Sequence, residues 1–112
     1  MARKFVFFGP YITTPEAKEL RARIHTAHVN NVQKLLADKI IKFGGPFYND
    51  DGAGENSSDR AFGGSFFLME AESREQALKI VQADPYYENG LWDIAKLHLV
   101  EYDTGPLPYP FA

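Results

Sequence analysis

Residues 65–81, SFFLMEAESREQALKIV, decide the fold. Four of the first six residues are large and apolar, which predicts a strand over residues 65–70. Ser73 is then placed as a helix cap, with a glutamate and a glutamine near the third helical position. The apolar positions that follow have the spacing of one buried helix face: Ala77, Leu78, Ile80 and Val81. This stretch is therefore a strand followed by a helix.

Three further strands and one longer helix surround this unit. Residues 4–8 and 40–43 are short apolar runs that end at glycine and proline, so each is predicted as a strand. Between them, Pro15 follows two threonines and stands at the first helical position, and the predicted helix ends at about Asp38. Its apolar stripe contains Leu20, Ile24, Ala27, His28, Asn31, Val32, Leu35 and Leu36. A fourth strand is predicted over residues 94–101.

The order of elements, β-α-β-β-α-β, predicts a ferredoxin-like α+β fold: a four-stranded antiparallel sheet with both helices on one face. The whole chain, residues 1–112, is predicted to form one domain. Residues 49–63 are mostly small and polar and are expected to form a long flexible loop. Residues 102–112 are rich in proline and aromatic residues, so this tail is expected to form neither a helix nor a central strand.

The strands are apolar on both faces. Phe5 and Phe7 point to one side of the first strand, and Val6 and Phe8 point to the other. A sheet covered by helices on one side only normally alternates apolar with polar residues. We therefore expect a second subunit to cover the other face in a homodimer. The alternative is a monomer in which the long loop and the tail provide the cover.

Composition excludes several classes of function. The 112 residues carry a net charge of −3, which disfavours a nucleic-acid partner. There is no cysteine, so disulfides, thiolate nucleophiles and cysteine-ligated metals are excluded. The apolar run near the first residue is too short for a signal peptide or a membrane span. These features predict a cytoplasmic protein that does not bind membranes.

Two histidines and one aspartate are the main candidates for chemistry. His28 lies on or beside the buried helix stripe, where an imidazole could act as a general acid or base, and His25 lies one turn away. The alternative for His28 is a histidine at the edge of the core, bonded to a backbone carbonyl. The two histidines could also bind a metal, but no third ligand is evident, so no metal is predicted. Asp84 could orient an imidazole, or it could simply end a helix before Pro85.

A hydroxyl donor and an aromatic pocket complete the candidate site. Ser65 follows two glycines at the start of a strand, where a ligand could approach the backbone; the glycines could equally only close the loop. The aromatic residues predicted to line a substrate pocket are Phe7, Phe47, Phe67, Tyr86 and Trp92.

These motifs together resemble the YCII-related family of dimeric α+β barrel proteins, over residues 4–101. The residues that carry the resemblance are His28, Gly45, Pro46, Gly64, Ser65, Asp84, Pro85, Tyr86, Gly90 and Leu91. The resemblance implies that His28 and Asp84 are the catalytic pair and that no cofactor is needed. The family often has an arginine at the position of His25, so the anion-binding role of that arginine does not transfer to this residue.

The resulting hypothesis is a cofactor-independent lyase or isomerase that moves a proton on a small aromatic or cyclic, enolisable metabolite. His28 would be the general base and acid, Asp84 would hold its tautomer, and Ser65 and Tyr86 would stabilise negative charge on oxygen. The substrate-binding residues would be His25 and the five aromatic residues given above. Two alternatives stay open: a non-catalytic module that binds a small aromatic ligand, and a cofactor-free monooxygenase.

Overall fold

A computed structural model describes residues 2–49 and 61–108 of the chain. Within them lie four strands and three helices: β1 (Arg3–Pro10), α1 (Ala17–Ala37), β2 (Ile41–Tyr48), β3 (Phe62–Ala71), α2 (Arg74–Gln82), α3 (Pro85–Glu88) and β4 (His98–Glu101). The strands form one antiparallel sheet in the order β2-β3-β1-β4. This is the ferredoxin-like arrangement, with the first and third strands at its centre.

The register gives the sheet two distinct faces. Phe5 pairs with Met69 and Phe7 with Phe67, and these side chains form the buried inner face. Fully burying a phenylalanine contributes roughly 1.5–3 kcal/mol, so this layer is a principal source of stability. Ala77 and Val81 of α2 belong to the same buried core, together with Leu91 and Trp92 of the segment after α3 and Leu99 of β4.

Several predicted boundaries were wrong, each for a local reason. Helix α1 begins at Ala17 rather than at Pro15, whose segment forms a turn instead. Strand β2 continues to Tyr48 through Pro46; it is an edge strand, where one side needs no hydrogen-bond donor. Strand β4 begins at His98 because Asp93 holds the preceding residues in a turn, where its backbone and side-chain oxygens accept backbone hydrogen bonds.

The predicted end of the loop, at residue 63, was also wrong, because β3 already begins at Phe62. Phe62 and Gly63 belong to β3, and Phe62 pairs with Tyr48 at the end of β2. Residues 50–60 lie outside the described part of the chain. Residues 102–108 of the tail form neither a helix nor a strand. None of the helices in the described residues is long and apolar enough to cross a membrane.

Candidate active site

A cavity of about 270 Å³ lies between α1 and the β2 side of the sheet. One face of α1 forms a wall, and the first residues of β3 lie opposite. The lining residues are Tyr11, Arg21, His25, His28, Val29, Val32, Gln33, Leu36, Gly44, Gly45, Pro46, Ser65, Phe67 and Tyr86. The volume suits a ligand smaller than a typical drug, such as a single substituted ring.

His28 and Asp84 meet at the edge of this cavity. His28 Nδ1 lies 2.7 Å from Asp84 Oδ1, and both residues are buried, with 8% and 3% of their surface exposed. A carboxylate can only accept, so Nδ1 carries the proton of this hydrogen bond. In the neutral ring, Nε2 then keeps its lone pair and is the nitrogen available to a ligand.

The turn after α2 fixes the Asp84 carboxylate. Asp84 is the N-cap of α3, and its Oδ1 accepts the backbone N–H of Tyr86 at 2.8 Å in addition to His28. Its Oδ2 accepts a hydrogen bond from Asn31 Nδ2 at 3.0 Å. Three donors therefore surround one carboxylate. The carboxylate is held for His28 rather than offered to a ligand.

Asn31 is a residue of this site that sequence reasoning missed. It follows His28 by three positions, so both side chains lie on the same face of α1. A signal was present, because Asn31 is an amide in a stripe that is otherwise mostly apolar. Its partner Asp84 is 53 positions away, and only the folded chain shows their contact.

Aromatic rings set the orientation of the His28 imidazole. Tyr86 stacks on it with a centroid distance of 3.7 Å and an interplanar angle of 4°. Trp92 approaches edge-on, with a centroid distance of 6.0 Å. Since Asp84 fixes Nδ1 and Tyr86 covers one face of the ring, Nε2 is restricted to a single direction.

His25 and Tyr86 form a second hydrogen-bonded pair on the cavity wall, with 2.8 Å between His25 Nδ1 and the Tyr86 hydroxyl. Burial raises the pKa of Tyr86 to about 12, and Arg21 opposes this only in part. Desolvation lowers the pKa of His25, and the charges of Arg21 and His28 lower it further. Both groups are therefore uncharged near neutral pH. Of their two polar hydrogens, one is used between them and one remains for another acceptor.

Ser65 is part of a chain of donors. Its Oγ accepts from Trp92 Nε1 at 3.3 Å and lies 3.4 Å from the Tyr11 hydroxyl. Arg21 Nε in turn donates to the Tyr11 hydroxyl at 3.3 Å. Each of the two hydroxyls thus accepts one hydrogen bond from another group, Ser65 from Trp92 and Tyr11 from Arg21. A third hydrogen bond, between the two hydroxyls, uses one of their own two hydrogens. One hydroxyl hydrogen is left for a ligand oxygen, and both Tyr11 and Arg21 are lining residues that the sequence did not point to.

The predicted substrate-binding aromatics divide into two groups. Phe67 and Tyr86 line the cavity, together with His25. Phe7 and Trp92 are not on its wall; they are buried beneath it and pack on each other at 4.6 Å. Phe47 is not on the wall either, because its position in the register places it on the outer face, stacked on Phe8 at 4.5 Å.

The described residues offer no cluster of three or more side chains that could hold a metal ion. In addition, Nδ1 of each of the two helix histidines is already hydrogen-bonded, to Asp84 in His28 and to Tyr86 in His25. A second cavity, of about 590 Å³, lies along the connection between β1 and α1. It shares Tyr11 and Arg21 with the first cavity, but neither His28 nor Asp84 lines it.

Matches to a family model, to a curated relative and to a solved structure relate the chain to known proteins. Residues 5–99 match the model of the YCII-related domain. Aspercryptin biosynthesis cluster protein B of Emericella nidulans is 24% identical over 90 residues, which are 80% of this chain and 57% of that relative's length. The solved structure of 5-chloro-2-hydroxyhydroquinone dehydrochlorinase from Burkholderia phenoliruptrix, in complex with 2,5-dihydroxybenzoquinone, matches with a TM-score of 0.74 and 28% identity. That match covers 91% of this chain and 95% of the other, and it confirms the predicted fold class.

Proposed function

The chain belongs to the YCII-related family, and from this we propose that it is a lyase or isomerase that transfers a proton on a small cyclic, enolisable compound. The observation that carries the proposal is the buried contact of 2.7 Å between His28 Nδ1 and Asp84 Oδ1, beside a cavity that His28 lines. A base whose second nitrogen is fixed by a carboxylate is the usual device for moving a proton near neutral pH.

The reaction begins when His28 Nε2 removes a proton from a saturated ring carbon next to a carbonyl of the substrate. The C–H electron pair forms a carbon–carbon double bond, and the π pair of the carbonyl moves onto its oxygen to give an enolate. The free hydroxyl hydrogen of the Ser65 and Tyr11 pair binds that oxygen, and Asp84 stabilises the imidazolium. The proton then returns to another atom, which gives isomerisation, or to a departing group, which gives elimination. No step requires a cofactor.

The substrate class follows from the cavity and from the relatives. Phe67 and Tyr86 provide aromatic walls, and the volume of about 270 Å³ suits one substituted ring. The dehydrochlorinase is named for a chlorinated hydroxyhydroquinone and was solved with a dihydroxybenzoquinone. The fungal relative is named for a biosynthesis cluster. We therefore expect a role in secondary or aromatic metabolism.

We further propose that the protein works as a homodimer. The outer face of the sheet presents large apolar side chains to solvent: Phe8 is 40% exposed, Phe43 51% and Val100 51%. These side chains are exposed although residues 102–108 of the tail are present, so the described part of the tail does not cover them fully. An exposed apolar patch of this kind is typical of an interface, and a second copy would supply a matching face.

The test uses 2,5-dihydroxybenzoquinone and related hydroxyquinones in D₂O, with loss of the ring hydrogens followed by proton NMR. Catalysed exchange that disappears in His28→Ala supports the proposal. Tight binding without catalysed exchange, unchanged in His28→Ala, would instead identify a binding module. Consumption of oxygen during turnover would identify a cofactor-free monooxygenase.

A further inference from the structure

Arg21 is a cation on the cavity wall without an acidic partner among the described residues. Ion pairs among these residues include Arg3 with Glu101 and Lys42 with Glu70, and the Asp84 carboxylate is hydrogen-bonded to His28. Arg21 instead donates Nε to the Tyr11 hydroxyl, and its guanidinium carbon lies 5.8 Å from the Tyr11 ring centroid. Aromatic contacts compensate a half-buried cation only in part. The charge therefore stays available to an anion in the cavity.

The groups around Arg21 are also donors. The Ser65 and Tyr11 pair has one hydroxyl hydrogen to spare, and the His25 and Tyr86 pair has one more polar hydrogen. No aspartate or glutamate is among the described residues that line the cavity. Asp84 lies behind His28, where its oxygens already accept from three donors. At this end of the cavity an anionic oxygen would meet favourable groups and no carboxylate among these lining residues.

The far end of the cavity has the opposite character. The lining face of α1 continues from Arg21 and the two histidines to Val29, Val32, Gln33 and Leu36, of which only Gln33 is polar. At a rise of about 1.5 Å per residue, the eight positions that separate His28 from Leu36 correspond to roughly 12 Å of mostly apolar wall. The cavity therefore has a cationic, donor-rich end and an apolar end, with the imidazole between them.

Tyr86 shows the separation of the two functional points. Its ring stacks on His28, whereas its hydroxyl reaches His25 and the region of Arg21. The Tyr86 side chain therefore links the His28 imidazole to the end of the cavity that holds His25 and Arg21. A single ring bound in the cavity could place an ionised oxygen at Arg21 and a ring carbon near His28 Nε2.

We propose that this cavity selects organic anions, namely single-ring compounds with a carboxylate or an ionised hydroxyl, and that Arg21 is the residue that recognises the charge. This inference rests on the proposed function, because it describes the substrate of the same site. Arg21 would determine the preference for charged over neutral ligands. His25 lies beside it but is neutral, so it cannot supply this preference.

The test is equilibrium binding, measured by titration calorimetry with salicylate and its neutral analogue salicylamide. Wild-type protein should bind salicylate at least about tenfold more tightly than salicylamide. Arg21→Gln should weaken salicylate binding about 10- to 100-fold, the range for losing a charge-assisted hydrogen bond, and should leave salicylamide binding unchanged. Arg21→Lys, which keeps the charge without the planar fork, should give an intermediate loss.

The matched control is Arg23→Gln, which removes the same charge from an exposed position two residues along α1. It should leave binding of both probes unchanged. NMR titration gives a second readout: Arg21→Gln should raise the pKa of His25, because the charge of Arg21 lowers it in the wild type. That result would show that the variant is folded and the neighbouring charge is gone.

The inference is overturned if wild type binds the two probes equally, if neither binds at millimolar concentration, or if Arg21→Gln weakens both alike. Because the measurement needs no turnover, it is separate from the test of the proposed function. Charge selectivity through Arg21 without His28-dependent exchange would retain this inference and reject the enzyme. His28-dependent exchange without charge selectivity would support the enzyme and reject this inference.

Discussion

Asp84→Asn is the variant that best separates the chemistry of the site from its architecture. The remaining side-chain oxygen can still accept from His28 Nδ1 and from the backbone of Tyr86, as Asp84 Oδ1 does now. The new NH₂ group then faces Asn31, whose own amide can rotate to present oxygen. Asparagine is also as good an N-cap as aspartate. The geometry should therefore survive, and only the negative charge is lost.

The stability cost of Asp84→Asn should be small. Hydrogen bonds to a charged group contribute about 1.5–3 kcal/mol and neutral ones about 0.5–1.5 kcal/mol, so the difference is roughly 1–2 kcal/mol. Asp84→Ala is different, because it leaves His28 Nδ1, Asn31 Nδ2 and the Tyr86 amide without their acceptor. Each buried donor that is left without an acceptor typically costs about 1–3 kcal/mol, so the loss in Asp84→Ala should be clearly larger. Urea unfolding of both variants gives these values directly.

The loss of activity in Asp84→Asn should be much larger than its loss of stability. Without the carboxylate, the imidazolium formed at His28 is no longer stabilised, and the catalysed exchange of ring hydrogens should fall about 10²- to 10⁴-fold in Asp84→Asn. A variant that is nearly as stable as wild type and nearly inactive would show that the charge acts in the reaction. Exchange at the wild-type rate in Asp84→Asn would refute the reasoning. So would a loss of stability equal to that of Asp84→Ala, because Asp84 would then be a structural cap.

Three further results are expected. His28→Ala should lower kcat about 10²- to 10⁴-fold, and the double variant with Asp84→Asn should be scarcely worse, since the two residues act as one unit; additive losses in steady-state kinetics would contradict this. The pKa of Tyr86 lies above that of an unfolded tyrosine, so its contribution, about 2–3 kcal/mol for a rise from 10 to about 12, is complete below pH 10 and is lost as the pH rises towards 12. Urea unfolding at pH 9 and pH 12 should show this extra loss in wild type and in Tyr87→Phe but not in Tyr86→Phe. Sedimentation at micromolar concentration should give twice the chain mass, and Phe43→Glu on the outer face should shift it to the monomer; a folded wild-type monomer would remove the dimer.

The fold was predictable because its signals are local. The apolar runs and the Ser73 cap identify strands and a helix without knowledge of the rest of the chain, and Ser73 does accept the backbone N–H of Gln76. The predicted element boundaries are wrong where they depend on contacts with other parts of the chain. Pro46 is tolerated in β2 because that strand is at the edge, and Asp93 shortens β4 through a turn that competes with the ladder.

The site was predictable only in part, because its contacts join distant segments. His28 and Asp84 are 56 positions apart, and Tyr11 and Ser65 are 54 apart. Composition nominates such residues but does not show which of them converge. Phe7 and Trp92 illustrate the limit: an aromatic residue in a strand or turn can line a cavity or fill the core beneath it, and only packing decides between the two.

The short turn Asp84-Pro85-Tyr86 explains how so small a fold holds an imidazole in one orientation. Asp84 is extended, with φ −74° and ψ 138°, and Pro85 occupies the first turn of α3, where its missing N–H costs nothing. The capping bond from the Tyr86 amide pins the carboxylate, and the Tyr86 side chain then returns to stack on His28. One turn therefore supplies both the acceptor at Nδ1 and the ring against the imidazole face. The same hydrogen bond caps the helix and fixes the position of the Asp84 carboxylate. A substitution that displaces α3 should therefore move this carboxylate and lower the activity of His28.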